Sequence, residues 1–366
     1  MRYYIIAGEA SGDLHGGNLI RALHAQDADA EIRCWGGDRM QAAGAVLVKH
    51  YRDLAFMGFV EVLRHLRTIF RNIAFCKKDI TAFRPDVLVL IDYPGFNMRI
   101  AAWARRHGLK TAYYISPQVW AWKEGRVRAI RRDVDRMLVI LPFEEEFYKK
   151  RDYRVTYVGH PLVEVVRRET DAPLPAPLSV KPLVALLPGS RAQEIKTKLP
   201  YMLQLVRRFP DCRFAVAQAP AQPESLYREL IGSEDVLLVK ETYQLLRQAK
   251  AAIVTSGTAT LETALFGVPQ VVCYKGNPLS YWLARKLIRV KYISLVNLIM
   301  DKPVVKELIQ HELSEENLER ELRRLLYDEA YIRRQQEDYA RLKERLGAWP
   351  ASENAAAAIV ALAGKG

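Results

Sequence analysis

Residues 183–191 read LVALLPGSR. Five consecutive apolar residues predict a strand covered on both faces, and Pro188, Gly189 and Ser190 predict the turn that carries it into a helix near Ala192 or Gln193. The same signature opens the chain, where RYYIIA at 2–7 runs into the glycine-containing GEASGD at 8–13. Between and beyond these two points, short apolar runs alternate with longer stretches of helical period. Candidate strands are 86–91, 110–115, 137–140 and 155–158 in the first half, and 213–217, 236–239, 251–255 and 269–274 in the second. Strand–helix alternation of this kind predicts an α/β chain with two doubly wound, Rossmann-like domains facing a cleft. The boundaries are read as 1–170, a proline-spaced linker at 171–182 (DAPLPAPLSVKP), 183–346, and a C-terminal helix in 347–366 that either closes the second domain or packs back on the first.

The 366 residues are 50% hydrophobic and 27% charged, an ordinary globular composition that excludes a disordered or fibrous chain. Lys and Arg number 55 against 42 Asp and Glu, for a net charge of +13, which favours a polyanion: nucleic acid, an anionic membrane or a phosphorylated substrate. No helix-turn-helix, zinc-finger or RNA-recognition signature supports nucleic acid. Cys34, Cys76, Cys212 and Cys273 lie far apart, which argues against a zinc site and a disulfide scaffold. The apolar run at the start is too short for a signal peptide, and no stretch reaches the 18 apolar residues of a spanning helix; a cytoplasmic protein is expected.

The turns after strands carry the candidate chemistry. At 188–191, Gly189 permits close backbone approach, Ser190 and the helix N-terminus offer N–H groups, and Arg191 can fork onto a phosphate; a plain tight turn with a surface arginine would look the same. At 251–269 (AAIVTSGTATLETALFGVP), Ser256, Gly257 and Thr258 repeat the cradle, and Glu262 one turn on suits ribose hydroxyls, a solvated helix charge being the alternative. Neither turn is a Walker loop and no GxGxxG is present, so a bound nucleotide diphosphate is expected without P-loop hydrolysis. In the first half, 7–17 (AGEASGDLHGG) projects Glu9, Ser11 and Asp13 near the cleft. At 87–97 (VLVLIDYPGFN), Asp92 ends an apolar strand, where desolvation would raise its pKa and make it a general base; a helix N-cap is the alternative. Trp120 and Trp122 in 113–132 sit beside a basic run, aromatic faces suiting sugars and arginines suiting phosphates; a packed tryptophan pair beside a solvated basic helix would look the same. In 56–78, Phe59, Leu63, Leu66, Phe70 and Ile73 form an apolar stripe flanked by Arg64, Arg67, Arg71 and Lys78, the pattern of a helix docked on an anionic membrane; plain core packing would explain the apolar stripe alone.

With these residues the chain resembles the lipid-A-disaccharide synthases, glycosyltransferases of GT-B architecture. The resemblance rests on AGEASGD, MGFVEVL (57–63), LIDYPGFN, SPQVWAW, LPFE (141–144), VGHP (158–161, with His160), LLPGSR, TSGTATLE and YISLVNLI (292–299), in that order along essentially the whole chain. It implies transfer of the sugar of UDP-2,3-diacylglucosamine to 2,3-diacylglucosamine 1-phosphate, giving the β-1,6-linked disaccharide and UDP with inversion. It implies Asp92 as base, Glu9 as a second carboxylate, Arg191 and Asn297 as residues required for activity, and no metal or other cofactor. It further implies a peripheral enzyme on the cytoplasmic face of the inner membrane and favours a homodimer. Gly95 stands where many members have a second acid, Val296 where proline is common, and Trp35–Gly37 is a variant of a common AGP. The competing readings are a UDP-sugar epimerase, a peptidoglycan-precursor glycosyltransferase, and a non-catalytic nucleotide-binding protein docked on membranes.

Overall fold

The computed structural model describes residues 1–53, 66–122, 124–174, 176–277, 281, 291–348 and 350–364. The chain divides into two compact units, Met1–Pro161 with Trp349–Gly366, and Leu162–Ala348.

Among the described residues, the first unit is built on a seven-stranded parallel sheet, with β1 (Arg2–Ala7), β2 (Glu31–Gly36), β3 (Val46–His50), β4 (Val87–Ile91), β5 (Thr111–Tyr114), β6 (Arg136–Val139) and β7 (Thr156–Tyr157) in the order β3-β2-β1-β4-β5-β6-β7. Alternate residues of each strand enter opposite cores. Tyr4, Ile6, Leu88 and Leu90 pack with helices Leu66–Phe83 and Pro94–Arg106, while Tyr3, Ile5, Val87 and Val89 pack with helices Ala10–Gln26 and Ala351–Ala363. The last of these helices is therefore part of the first unit. Ala355, Ala356 and Ile359 are fully buried in its core, Asn354 Nδ2 donates to Val158 O at 3.1 Å, and Gln26 Nε2 donates to Glu353 O at 2.9 Å. Alanines let this helix lie close against its neighbour.

Among its described residues, the second unit carries a six-stranded parallel sheet of β8 (Leu183–Leu187), β9 (Arg213–Ala217), β10 (Val236–Val239), β11 (Ala249–Thr255), β12 (Gln270–Tyr274) and β13 (Lys306–Ile309), ordered β10-β9-β8-β11-β12-β13. Val184 and Leu186 face helices Ala192–Leu203 and Glu315–Tyr327; Leu183, Ala185 and Leu187 face the opposite side. The charged stretch after Ser314 forms two helices, Glu315–Tyr327 and Glu329–Leu346, because Asp328 leaves the helical conformation and caps the second by accepting from Tyr331 N at 3.0 Å. The segment at 171–182 is tied to this unit: Arg247 donates to Ala172 O and Pro173 O, and Gln248 bonds Leu178 N and Ala176 O.

In each sheet the strand order reverses once, between β1 and β4 and between β8 and β11. Ligands of open α/β sheets bind beyond the carboxyl ends of the strands at such a reversal. The four turns that follow these strands are those carrying Glu9, Asp92, Gly189–Arg191 and Ser256–Thr258.

On helix Leu66–Phe83 the buried face is Ile73, Cys76, Ile80 and Phe83, with Ile69 half-buried. Ile73 thus belongs to the core and not to an outward stripe with Phe70, since the boundary of the buried face runs between the two. The outward face carries Arg67, Phe70, Arg71, Phe75 and Lys78, with Phe70 59% and Phe75 48% exposed. Phe59 and Leu63 lie outside the described residues, as does the side chain of Leu66. No described helix is long and apolar enough to cross a membrane.

Candidate active site

At the end of β4 the chain turns through Asp92 and Tyr93, both left-handed, with φ of 43° and 48°. An Asp tolerates that conformation and a Tyr is strained in it, so the surroundings must hold it. Asp92 N donates to Tyr114 O at 3.2 Å, while Asp92 O accepts from Tyr113 Oη at 2.5 Å and Asn97 Nδ2 at 2.7 Å. The Tyr93 ring lies flat against Gly8, where a Cβ would come within 2.3 Å of its ring atoms. Pro94 then starts helix Pro94–Arg106. The effect is to place the half-buried Asp92 just past the carboxyl end of the central strand β4, with its pKa raised to about 6 by burial first and by the Glu9 charge second. Glu9 sits at the end of the neighbouring strand β1, exposed, as the N-cap residue of helix Ala10–Gln26.

The other residues expected in this region divide. Ser11 is exposed in the first turn of that helix. Asp13 is 4% exposed and accepts from Gly37 N at 2.7 Å, Met40 N at 3.0 Å and Arg39 N at 3.2 Å. It fastens the start of helix Asp38–Ala42, and a buried carboxylate so saturated is a cap, not a cleft group. His160 is buried, and burial followed by the His15 charge pushes its pKa down to about 3; it is a neutral imidazole near neutral pH. Trp120 is half-buried, edge-on to Phe143 at 5.1 Å and beside the buried Glu144, whose pKa burial raises to about 7. The Trp122 side chain lies outside the described residues.

In the second unit, Gly189 adopts a left-handed φ of 117° and Arg191 is the extended N-cap residue of helix Ala192–Leu203. Glu194 folds back so that Ser190 N and Arg191 N donate to its Oε2 at 3.3 and 3.4 Å. A Cβ on Gly189 would lie 2.6 Å from that oxygen, so the glycine makes room for Glu194. The amides at 190 and 191 are therefore taken. The first intrahelical bond runs from Ile195 N to Arg191 O, which leaves the amides of 192–194 as the N-terminal donors for an anion, beside the exposed Arg191 side chain.

The neighbouring turn follows β11. Ser256 Oγ donates to Ile293 O at 2.9 Å, so its proton anchors the turn, and helix Thr258–Leu265 begins directly after Gly257. Glu262 Oε1 accepts from Tyr243 Oη at 2.7 Å, and burial raises its pKa. Thr255 Oγ1 is buried with no hydrogen-bond partner among the described residues. The two turns share a cavity of about 390 Å³ whose lining includes Gly189, Arg191, Ser256, Thr258 and Glu262. Asn297 is not presented to a ligand: it is 1% exposed, its Nδ2 donates to Val305 O and Glu307 Oε1, each at 2.9 Å, and its Oδ1 accepts from Val305 N at 2.9 Å.

Three participants escape a reading of the sequence. Glu194 stands three residues after the N-cap, the spacing of a capping box, and that signal could have found it. Tyr243 and Glu307 reach the site from distant elements and carry no local signal.

A family model described as lipid-A-disaccharide synthetase matches residues 3–360. The chain belongs to the lipid-A-disaccharide synthetase family. It is 41% identical to the lipid-A-disaccharide synthase of Geobacter sulfurreducens, covering 100% of this chain and 98% of that one, and 38% identical to that of Coxiella burnetii, covering 89% of each. Among solved structures it is similar to the glycotransferase of kitacinnamycin (TM-score 0.68, 15% identity, 99% and 98% covered) and to the UDP-GlcNAc 2-epimerase of Neisseria meningitidis bound to UDP-GlcNAc (TM-score 0.67, 12% identity, 99% of each). At those identities the likeness speaks for the fold alone, which is of GT-B type: two doubly wound parallel-sheet domains.

Proposed function

We propose that the chain is an inverting hexosyltransferase that joins UDP-2,3-diacylglucosamine to 2,3-diacylglucosamine 1-phosphate. The observation that carries the mechanism is the Asp92 carboxylate, held by strained backbone at a strand end with its pKa raised to about 6. At neutral pH it is ionised yet far more basic than an ordinary aspartate, which suits it to take the proton from the acceptor 6-hydroxyl. The hydroxyl oxygen then bonds the anomeric carbon as the bond to the UDP oxygen breaks, in one displacement. The departing diphosphate is received by the amides of 192–194 and by Arg191, groups fixed before the charge develops. Glu262, with one oxygen already bonded to Tyr243, is the acceptor for ribose hydroxyls. Purified chain given both acylated sugars should release UDP and disaccharide in equal amounts; UDP binding without disaccharide would refute the transferase reading.

The outward face of helix Leu66–Phe83 supports docking on an anionic membrane, on the cytoplasmic side where the substrates' acyl chains are held. Arg67, Arg71 and Lys78 meet head groups while Phe70 and Phe75 enter the acyl boundary. Phe70→Glu with Phe75→Glu should abolish co-sedimentation with vesicles containing an anionic phospholipid, at unchanged melting temperature; retained binding refutes this face. A homodimer follows from the same family reading, and a monomeric mass in sedimentation equilibrium would refute it.

A further inference from the structure

Behind the Ser256 turn lies a polar cluster to which catalysis as described assigns nothing. Glu307 points from edge strand β13 into the segment 292–297, and its carboxylate collects that segment's donors. Ile293 N donates to both oxygens at 3.2 Å, and Ser294 N and Asn297 Nδ2 each donate to Oε1 at 2.9 Å. Asn297 is in turn clamped to Val305 through both ends of its amide. Ser294 caps helix Leu295–Met300, accepting from Asn297 N at 3.3 Å. The residue that Glu307 grips most fully, Ile293, offers its carbonyl to Ser256 Oγ at 2.9 Å, and Ser256 lines the cavity. An unbroken series of hydrogen bonds thus runs from Val305 through Asn297, Glu307 and Ile293 to the turn.

We infer that Glu307 is a positioning residue of the nucleotide site, and that Asn297 and Ser256 serve activity through it by fixing the turn at 256–258, without either side chain donating to the diphosphate. The inference rests on the nucleotide reading of this cavity. A carboxylate is required because three N–H donors converge on it; a neutral amide would turn an NH₂ group toward one of them and leave a buried donor unmet. Because the three residues act in one series, breaking it at any point loosens the same turn, and a second break adds little. A loosened turn costs affinity for the nucleotide, whereas the acceptor sugar does not depend on it.

The test is titration of the purified full chain with UDP, with melting temperature in parallel, for Glu307→Gln, Ser256→Ala and the double variant. Each single variant should weaken UDP about tenfold, the double variant also about tenfold, and the KM for the acceptor should not move. Multiplication to about a hundredfold in the double variant, or UDP affinity in Glu307→Gln equal to that of the parent, overturns the inference. Should Glu307→Gln fail to fold, hydrogen exchange on the parent chain decides: saturating UDP should slow exchange of the Ile293 and Ser294 amides, and unchanged exchange refutes the coupling. A parent chain that does not bind UDP at all overturns the nucleotide reading itself, and a parent that binds while the variants bind equally overturns only the coupling.

Discussion

Replacing Asp92 by Asn should remove most activity while making the protein more stable, and the gain should depend on pH in a calculable way. The native state raises this acid from 3.8 to about 6, so between those values it holds a proton that the unfolded chain has released. Stability of the parent therefore falls as pH rises through that window and is flat above it. At 1.36 kcal/mol for each tenfold change in proton affinity, the raised native pKa costs about 3 kcal/mol at pH 8, where the group is ionised in both states, and about 1 kcal/mol at pH 4.5, where folding must take up a proton. Asn escapes the cost, fits the same space and is at ease at a φ of 43°. Thermal or urea melts at the two pH values should show the variant ahead by those amounts, a rise of roughly 5–10 °C in midpoint at pH 8. Disaccharide formation should fall by about 10²–10⁴-fold, the range for loss of a general base. An equal gain at both pH values would refute the burial argument, and undiminished turnover would refute the base.

Glu9→Gln removes the second cause of the raised Asp92 pKa, so the acid limb of kcat/KM should move to lower pH; a limb that stays near 6 would show that burial alone sets it. Gly8→Ala pushes a methyl into the Tyr93 ring and should cost about 1–3 kcal/mol in denaturant melts, together with most activity, as the Asp92–Tyr93 turn shifts. Gly189→Ala should cost a similar amount through both its φ of 117° and its clash with Glu194. Adding Glu194→Ala should recover the steric part only, so the double variant should be more stable than the two single losses predict; simple additivity would refute the packing account of this glycine.

The strands that lie inside the sheets announce themselves in sequence because both faces are covered, which turns them into unbroken apolar runs such as VLVLI at 87–91. Those that do not are near or at an edge. β2 carries Glu31 and Arg33 among its apolar residues, β3 is half-exposed throughout, and β13 is the short KELI. The site is legible to the same extent. Asp92, Arg191, Ser256 and Glu262 stand just past apolar strands, so their placement follows from the strands. Asp13 is a polar residue in the same kind of place and Asn297 lies within helix Leu295–Met300, yet the partners of both lie on other elements, Gly37–Met40 for one and Val305 with Glu307 for the other. No local pattern separates a side chain that meets a ligand from one that secures a neighbouring loop. Helix Leu66–Phe83 shows the equivalent problem on a surface: Phe70 and Ile73 lie close together around the helix, and only the packing against Tyr4 and Phe83 puts one outside and the other in.

The helix Ala351–Ala363 completes the core of the first unit from beyond the whole of the second. On the ribosome, the segment that ends at Pro161 must wait for 187 intervening residues before its last layer exists. The part of that sheet face over β4, β5 and β6, with Val87 and Val89, lacks this helix meanwhile and is flanked only by helix Ala10–Gln26, while the second unit is already continuous and free to fold. Synthesis therefore imposes an order, second unit before first, and makes the unfinished first sheet the part of the nascent chain most in need of protection from aggregation.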